Sequence, residues 1–235
     1  MKTRHIVAMG GFAPSDSPGD RLLDGYLLSL TGQPRPKVCF LSQASEDGPS
    51  STLSFYRAFA AHDCRPSHLS LFAPHTTDIE GFLLDQDAIY VGGGNTKSML
   101  ALWRDWGLVG ILRKAWHQGV VLGGVSAGAN CWHAACSTDS FGPGTLRALP
   151  ALGFVPGGFC PHFDGEPGRR PTLRAMVSRG EMPDTLACDD AAAIHYLDDS
   201  AMAVASLKTA RAYRVTRAAD GRVSIKALPT RYLGK

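Results

Sequence analysis

The sequence predicts an α/β fold: a mostly parallel sheet covered by helices on both faces, with antiparallel strands at its C-terminal end. Three observations carry this. Short, wholly apolar runs recur through the first half, helical patterns separate them, and closely spaced runs with hairpin signals follow near the end. At 235 residues the chain is expected to form one domain over 1–235 with a full hydrophobic core.

In order, the strand-like runs are 5–9, 37–42, 67–72, 87–91 and 120–125, and helical stretches at 20–30, 51–62, 95–103 and 108–118 lie between or beside them. Strands apolar at every position are covered on both sides. Right-handed crossovers then gather the loops that follow the strands along one edge, where such folds place their sites. Gly and Pro dominate 153–168, which reads as loop around a short strand, and 170–179 can form a helix. The last runs are 192–197, 201–206, 212–216 and 223–228, with Asp198-Asp199 and Asp220-Gly221 as hairpin turns.

Lys and Arg number 24 against 21 Asp and Glu, a formal charge of +3, and no basic run stands out. Nucleic acid and membrane are therefore not expected partners, whereas a small peptide is; a homo-oligomer is left open. The apolar run at 5–9 is too short for a signal peptide, and nothing approaches a membrane span. Six scattered cysteines without a C-x-x-C pair read as buried reduced thiols of a cytoplasmic protein. Neither a metal nor an organic cofactor is expected.

The most informative segment is Gly124-Val125-Ser126-Ala127-Gly128, a G-x-S-x-G motif between an apolar run and a small-residue helical start. A strained turn would make the Ser126 hydroxyl project, glycines at 124 and 128 would let strand and helix pass closely, and the Ala127 amide could donate to a developing oxyanion. Helix capping is the structural alternative for Ser126. The loop Gly92-Gly93-Gly94-Asn95 lacks the Lys-Ser/Thr ending of a phosphate loop, and Lys97 stands where a dinucleotide fingerprint needs glycine. Its Gly93 amide is the candidate second oxyanion donor.

A serine nucleophile needs a base. Among eight histidines, His133 falls about two helical turns beyond Ser126, too far to reach back. His162 and His195 remain, and position favours His162. Asp139, Asp164, Asp189 and Asp190 are candidates for the orienting acid.

Val91 to Thr96, then Gly124 to Ala129, then Pro161-His162-Phe163, then Asp189-Asp190 resemble, in that order, the peptidase E and cyanophycinase family of serine peptidases. The likeness runs over about residues 4–215. It implies a flavodoxin-like sheet of the class I glutamine amidotransferase type, with Ser126 as nucleophile, His162 as base and the Gly93 and Ala127 amides as oxyanion hole. Asp190 matches the third member, with Asp189 or Asp139 as second choices. Arg170 matches an arginine that grips an N-terminal aspartate, and Asn95 is assigned to substrate binding beside it. The resemblance thus implies a dipeptidase that prefers an N-terminal aspartate. Two rival readings are an α/β-hydrolase-type esterase using Ser126, Asp184 or Asp189, and His195, and a non-catalytic amidotransferase-like small-ligand binding protein.

Overall fold

The computed structural model describes residues 2–13 and 21–234. Five parallel strands form its centre: β1 (His5–Met9), β2 (Lys37–Leu41), β3 (Arg65–Leu69), β4 (Ala88–Val91) and β5 (Val121–Val125). Helices α1 (Leu22–Ser29), α2 (Pro49–Phe59), α3 (Ile79–Leu84), α4 (Thr96–Asp105) and α5 (Leu108–His117) fall between these strands in the chain.

Strands β1, β2, β4 and β5 each supply both faces. Val7 and Met9 of β1 join Leu23 and Leu27 of α1 and Phe55 and Phe59 of α2 in one core. Ile6 and Ala8 join Met99 and Trp103 of α4 and Leu112 and Trp116 of α5 in the other. Alternating residues of an extended chain point to opposite faces, so a run apolar throughout buries itself twice. Truncating a ring such as Phe59, 2% exposed, would cost about 3–5 kcal/mol.

The strand expected at 67–72 begins two residues earlier and ends three earlier, at Arg65–Leu69. The Asp47 carboxylate accepts hydrogen bonds from the Leu71 and Phe72 amides at 2.6 and 3.1 Å, which turns those donors out of the ladder. Pro66 is tolerated because β3 is the sheet's edge. Helix α3 was not anticipated, although Asp78 caps it through the Gly81 amide at 2.8 Å.

The second half departs further. After β5 comes a helix of only four residues, α6 (Ala127–Asn130), and then β6 (His133–Thr138), β7 (Arg147–Pro150) and β8 (Val155–Cys160). Helix α7 (Arg169–Arg179) precedes β9 (Thr185–Cys188), followed by β10 (Ala192–Leu197), β11 (Ser200–Ala205), β12 (Ala212–Arg217), β13 (Val223–Ala227) and β14 (Thr230–Tyr232). The parallel sheet therefore reads β14-β11-β10-β1-β5-β4-β2-β3, and a second sheet reads β13-β12-β9-β8-β6-β7. Strand β10 joins β1 antiparallel, in register Val7 to His195.

His133 is thus not a residue of the helix that follows Ser126; it opens β6. The backbone shows why. The carbonyls of Cys131, Trp132 and His133 accept amides from Leu152, Phe154, Val155 and Gly153. A later segment claims the acceptors that a longer helix would have used. The chain crosses between the sheets here, and again at residues 189–191 between β9 and β10.

Candidate active site

The end of β1 organises the site through three successive carbonyls. The Ser126 amide donates to Met9 O at 3.1 Å, the His162 amide to Gly10 O at 3.3 Å, and the Ala191 amide to Gly11 O at 3.1 Å. One short stretch of backbone so holds the loop after β5, the loop after β8 and the crossing after β9. All three held residues carry positive φ without being glycine: Ser126 at 56°, His162 at 51° and Ala191 at 64°. Such conformations each cost about 1–3 kcal/mol and persist only where the surroundings enforce them.

Ser126 lies at the turn from β5 into α6 with ψ −111°, partly exposed, and makes no capping bond to the helix. Its role is not that of a helix cap. Both motif glycines are required by close approach. A methyl group at Gly128 would collide with the Val91 carbonyl, and one at Gly124 would meet both that carbonyl and Gly128 O. The Ala127 amide is the first of α6 and has no acceptor inside the helix. Gly93 packs against the serine: a Cβ built there would stand 3.5 Å from Ser126 Cβ and 3.9 Å from its Oγ.

His162 Nδ1 is hydrogen-bonded to Asp190 Oδ1 at 2.6 Å, and the two side chains are 23% and 38% exposed. Asp164 accepts from the Asp190 amide at 2.9 Å and so braces this turn. Gly11 lies against the pair. A Cβ there would strike the Asp190 carboxylate and stand 2.8 Å from His162 Nδ1. The roles of Gly10 and Gly11 were not anticipated; a glycine pair closing a buried strand was the signal.

The other acids are engaged elsewhere. Asp189 is 4% exposed and accepts from the Arg211 amide at 3.0 Å and the Tyr213 hydroxyl at 3.3 Å. Burial, then the Asp164 charge, push its carboxyl up to about 6. Asp139 faces Arg169 at 4.0 Å, and Asp184 accepts from the Arg217 amide at 3.2 Å. Arg169 itself is 4% exposed, paired with Glu166 at 2.6 Å and donating to Ser137 O at 3.3 Å. It is a structural arginine.

Two expected substrate-binding residues have other partners. Asn95 Oδ1 caps α4 by accepting from the Ser98 amide at 2.9 Å, and its Nδ2 donates to Ser140 O at 3.2 Å. The Arg170 guanidinium stands 5.1 Å from the Phe163 ring and 5.2 Å from the Tyr213 ring. It borders a surface hollow with Arg174, Ser178 and Ile225, on α7 and β13.

His195, the base of the esterase reading, is held by His5 at 3.0 Å and the Tyr26 hydroxyl at 2.7 Å. Burial, then the His5 and Arg231 charges, lower its pKa to about 4. His133 is lowered to about 3, chiefly by burial, while it bonds Ala129 O and the Tyr196 hydroxyl. Both bases have folded pKa values below the unfolded one. The unfolded chain therefore takes up protons first as pH falls, and stability is lost from about pH 6.5 down toward 4 for His195 and toward 3 for His133. Asp189, raised to about 6, acts in the opposite sense: it destabilises the fold as pH rises from about 4 to 6. A His133→Gln variant, which keeps hydrogen-bonding capacity without titrating, is expected to show a flatter loss of melting temperature between pH 6.5 and 4 than the unsubstituted chain. An unchanged slope would remove His133 from the account.

A serine on a strained strand-to-helix turn and a histidine–carboxylate pair, both anchored on the carbonyls that follow β1, sit at the end of a parallel sheet in an α/β fold. The chain belongs to peptidase family S51, whose model matches residues 6–204. It is 46% identical over 232 residues to the uncharacterized peptidase YgaJ of Bacillus subtilis (strain 168), covering 98% of this chain and all of that one. Two crystal structures share the fold. A Listeria monocytogenes EGD-e protein named for peptidase E matches with TM-score 0.65 at 17% identity, over 86% of this chain and 98% of its own. A peptidase from an acI-B1 Actinobacterium matches with TM-score 0.69 at 13% identity, over 97% and 94%. The protein is a peptidase of this family, with the mixed α/β fold that the sequence predicts.

Proposed function

We propose that this chain is a serine-type peptidase that cleaves short peptides, dipeptides among them, through Ser126, His162 and Asp190. The observation that carries the reading is the gathering of these three segments on the carbonyls of Met9, Gly10 and Gly11. Ser126 attacks the peptide carbonyl as His162 takes its proton, forming a bond from Oγ to carbon. The oxyanion receives hydrogen bonds from the Gly93 and Ala127 amides. His162 then passes the proton to the leaving amine as the carbon–nitrogen bond breaks, and water repeats the cycle on the acyl-enzyme. Asp190 holds His162 in the tautomer with its proton on Nδ1, which leaves Nε2 to act as base.

The aspartate preference implied by the resemblance draws no support from Arg170, whose guanidinium stacks on two aromatic rings. The six free cysteines are all buried, which supports a reducing cytoplasm as the working compartment. Among the described residues, no helix is long and apolar enough to cross a membrane.

The test is a dipeptide panel read across substitutions. His162→Ala and Asp190→Asn are each expected to lower kcat by about 10³- to 10⁴-fold with little change in KM. His195→Ala is expected to retain turnover. Loss in the His195 variant together with activity in the His162 variant would transfer the chemistry to the esterase reading.

A further inference from the structure

Beside the proposed oxyanion donor Gly93 lies a cavity of about 350 Å³. Its walls are the rings of Phe40, Phe55, Phe59 and Tyr90, each 5% exposed or less, and its rim carries Phe12, 60% exposed. The wall rings pack on one another. Phe40 stacks on Phe55 with centroids 4.6 Å apart, and Phe59 meets Tyr90 edge-on at 5.3 Å. Gly92, Gly93 and Val125 complete the side nearest Ser126.

We propose that this cavity receives the side chain of the residue that donates the acyl group, and that the preferred side chain is large and apolar. The proposal rests on the catalytic reading above. Three considerations support it. An apolar cavity of about 150 Å³ already takes a benzene ring, so a phenylalanine or leucine side chain fits the space here. The position also selects the acyl side. The carbonyl oxygen must point to Gly93, and the leaving nitrogen must lie by His162 to be protonated. Among the described residues the lining includes Gly92 and Gly93 but neither His162 nor Asp190. The side chain next to Gly93 therefore belongs to the acyl residue.

The chemistry of the wall is the third consideration. Among the described residues the lining holds no lysine or arginine, and its one carboxyl, Asp24, is 5% exposed near the Tyr90 hydroxyl. An aspartate side chain would exchange its hydration for aromatic rings and the hydroxyls of Ser45, Ser50, Ser51 and Ser54, and gain no cation in return. A phenyl or isobutyl group gains the burial.

The experiment compares kcat/KM for Phe-, Leu-, Ala-, Asp- and Lys-led dipeptides that share one second residue. Phe- and Leu-led substrates are expected to exceed the Ala-led one by about 10- to 100-fold, with the Asp-led one below it. Ser54, exposed on α2 at the cavity's edge, offers a way to fill the space without disturbing the core. Ser54→Phe is expected to lower the Phe-to-Ala ratio at least about tenfold, and Ala58→Leu, from the next turn of the helix, to act in the same direction. An Asp-led or Lys-led optimum, or an undiminished ratio in both variants, overturns the pocket assignment while leaving the catalytic reading in place. Failure of the unsubstituted chain to cleave any member of the panel overturns both.

Discussion

Replacing Ser126 by glycine is expected to abolish peptide hydrolysis and at the same time make the fold more stable. The loss in kcat should be about 10³- to 10⁶-fold, because the nucleophile is the one group whose work no neighbour can take over. The gain in stability has a separate cause. Ser126 is held at φ 56° and ψ −111°, a conformation unfavourable to any residue with a Cβ. Glycine adopts it without that penalty, although it brings a more flexible unfolded chain. The balance is a gain of about 1 kcal/mol, or roughly 2–4 °C in Tm for a chain of this size. Ser126→Ala keeps the Cβ, so it should lose the activity and leave Tm close to its starting value. A calorimetric scan beside a turnover assay separates the two effects. If both variants melt earlier and keep turnover, Ser126 is a structural residue.

Substituting Gly11 by alanine carries the second large effect. The new methyl group would fall on the Asp190 carboxylate and come within 2.8 Å of His162 Nδ1. Either the acid–base pair moves or β1 does, and both alter the register of the three carbonyl contacts. A displacement of about 1 Å at a reacting group costs roughly 10²-fold in rate, and the overpacking about 1–3 kcal/mol in stability. Adding Asp190→Ala removes the collision with the carboxylate and leaves the close approach to His162 Nδ1. The double variant should recover part of the stability but not the turnover, because His162 has lost its carboxylate partner. Full activity in Gly11→Ala alone would show that β1 does not position the pair.

The central sheet was legible because four of its five parallel strands are nearly apolar throughout and its helices fall between them, Arg65–Leu69 being the polar exception; His5–Met9 and Ala192–Leu197 were read with their observed ends. The strained turn at Ser126 was legible because a strand end, a helix start and two close-packed glycines meet in five residues. The second sheet was only partly so. Strands such as His133–Thr138 and Val155–Cys160 mix buried and exposed positions irregularly, and the latter contains two adjacent glycines and a proline. Local propensity at residues 127–133 allows a continued helix, and only the distant segment 152–155, by taking the carbonyls, ends it.

The pairing of His162 with Asp190 was a choice among several acids until backbone geometry settled their partners. Asp189 and Asp190 are adjacent in sequence, yet one is buried against Tyr213 and the other turns to the imidazole. Consecutive residues at a strand end face opposite ways, so composition could not separate them. The partners of Asn95 and Arg170 were hidden for a similar reason: one is an N-cap and the other lies over the Tyr213 ring, remote in sequence, as well as over Phe163. Asn95 directly before a helical run carried a capping signal of its own. The stacking of Arg170 required knowledge of where β12 would lie.

The most direct measurement is peptide mapping by mass spectrometry after treatment with a small fluorophosphonate. Attack by an activated serine would leave one phosphonyl group on Ser126, with labelling lost in Ser126→Ala and slowed at least about a hundredfold in His162→Ala. No adduct on the peptide that carries Ser126, or equal labelling when His162 is absent, would contradict a serine activated by that imidazole.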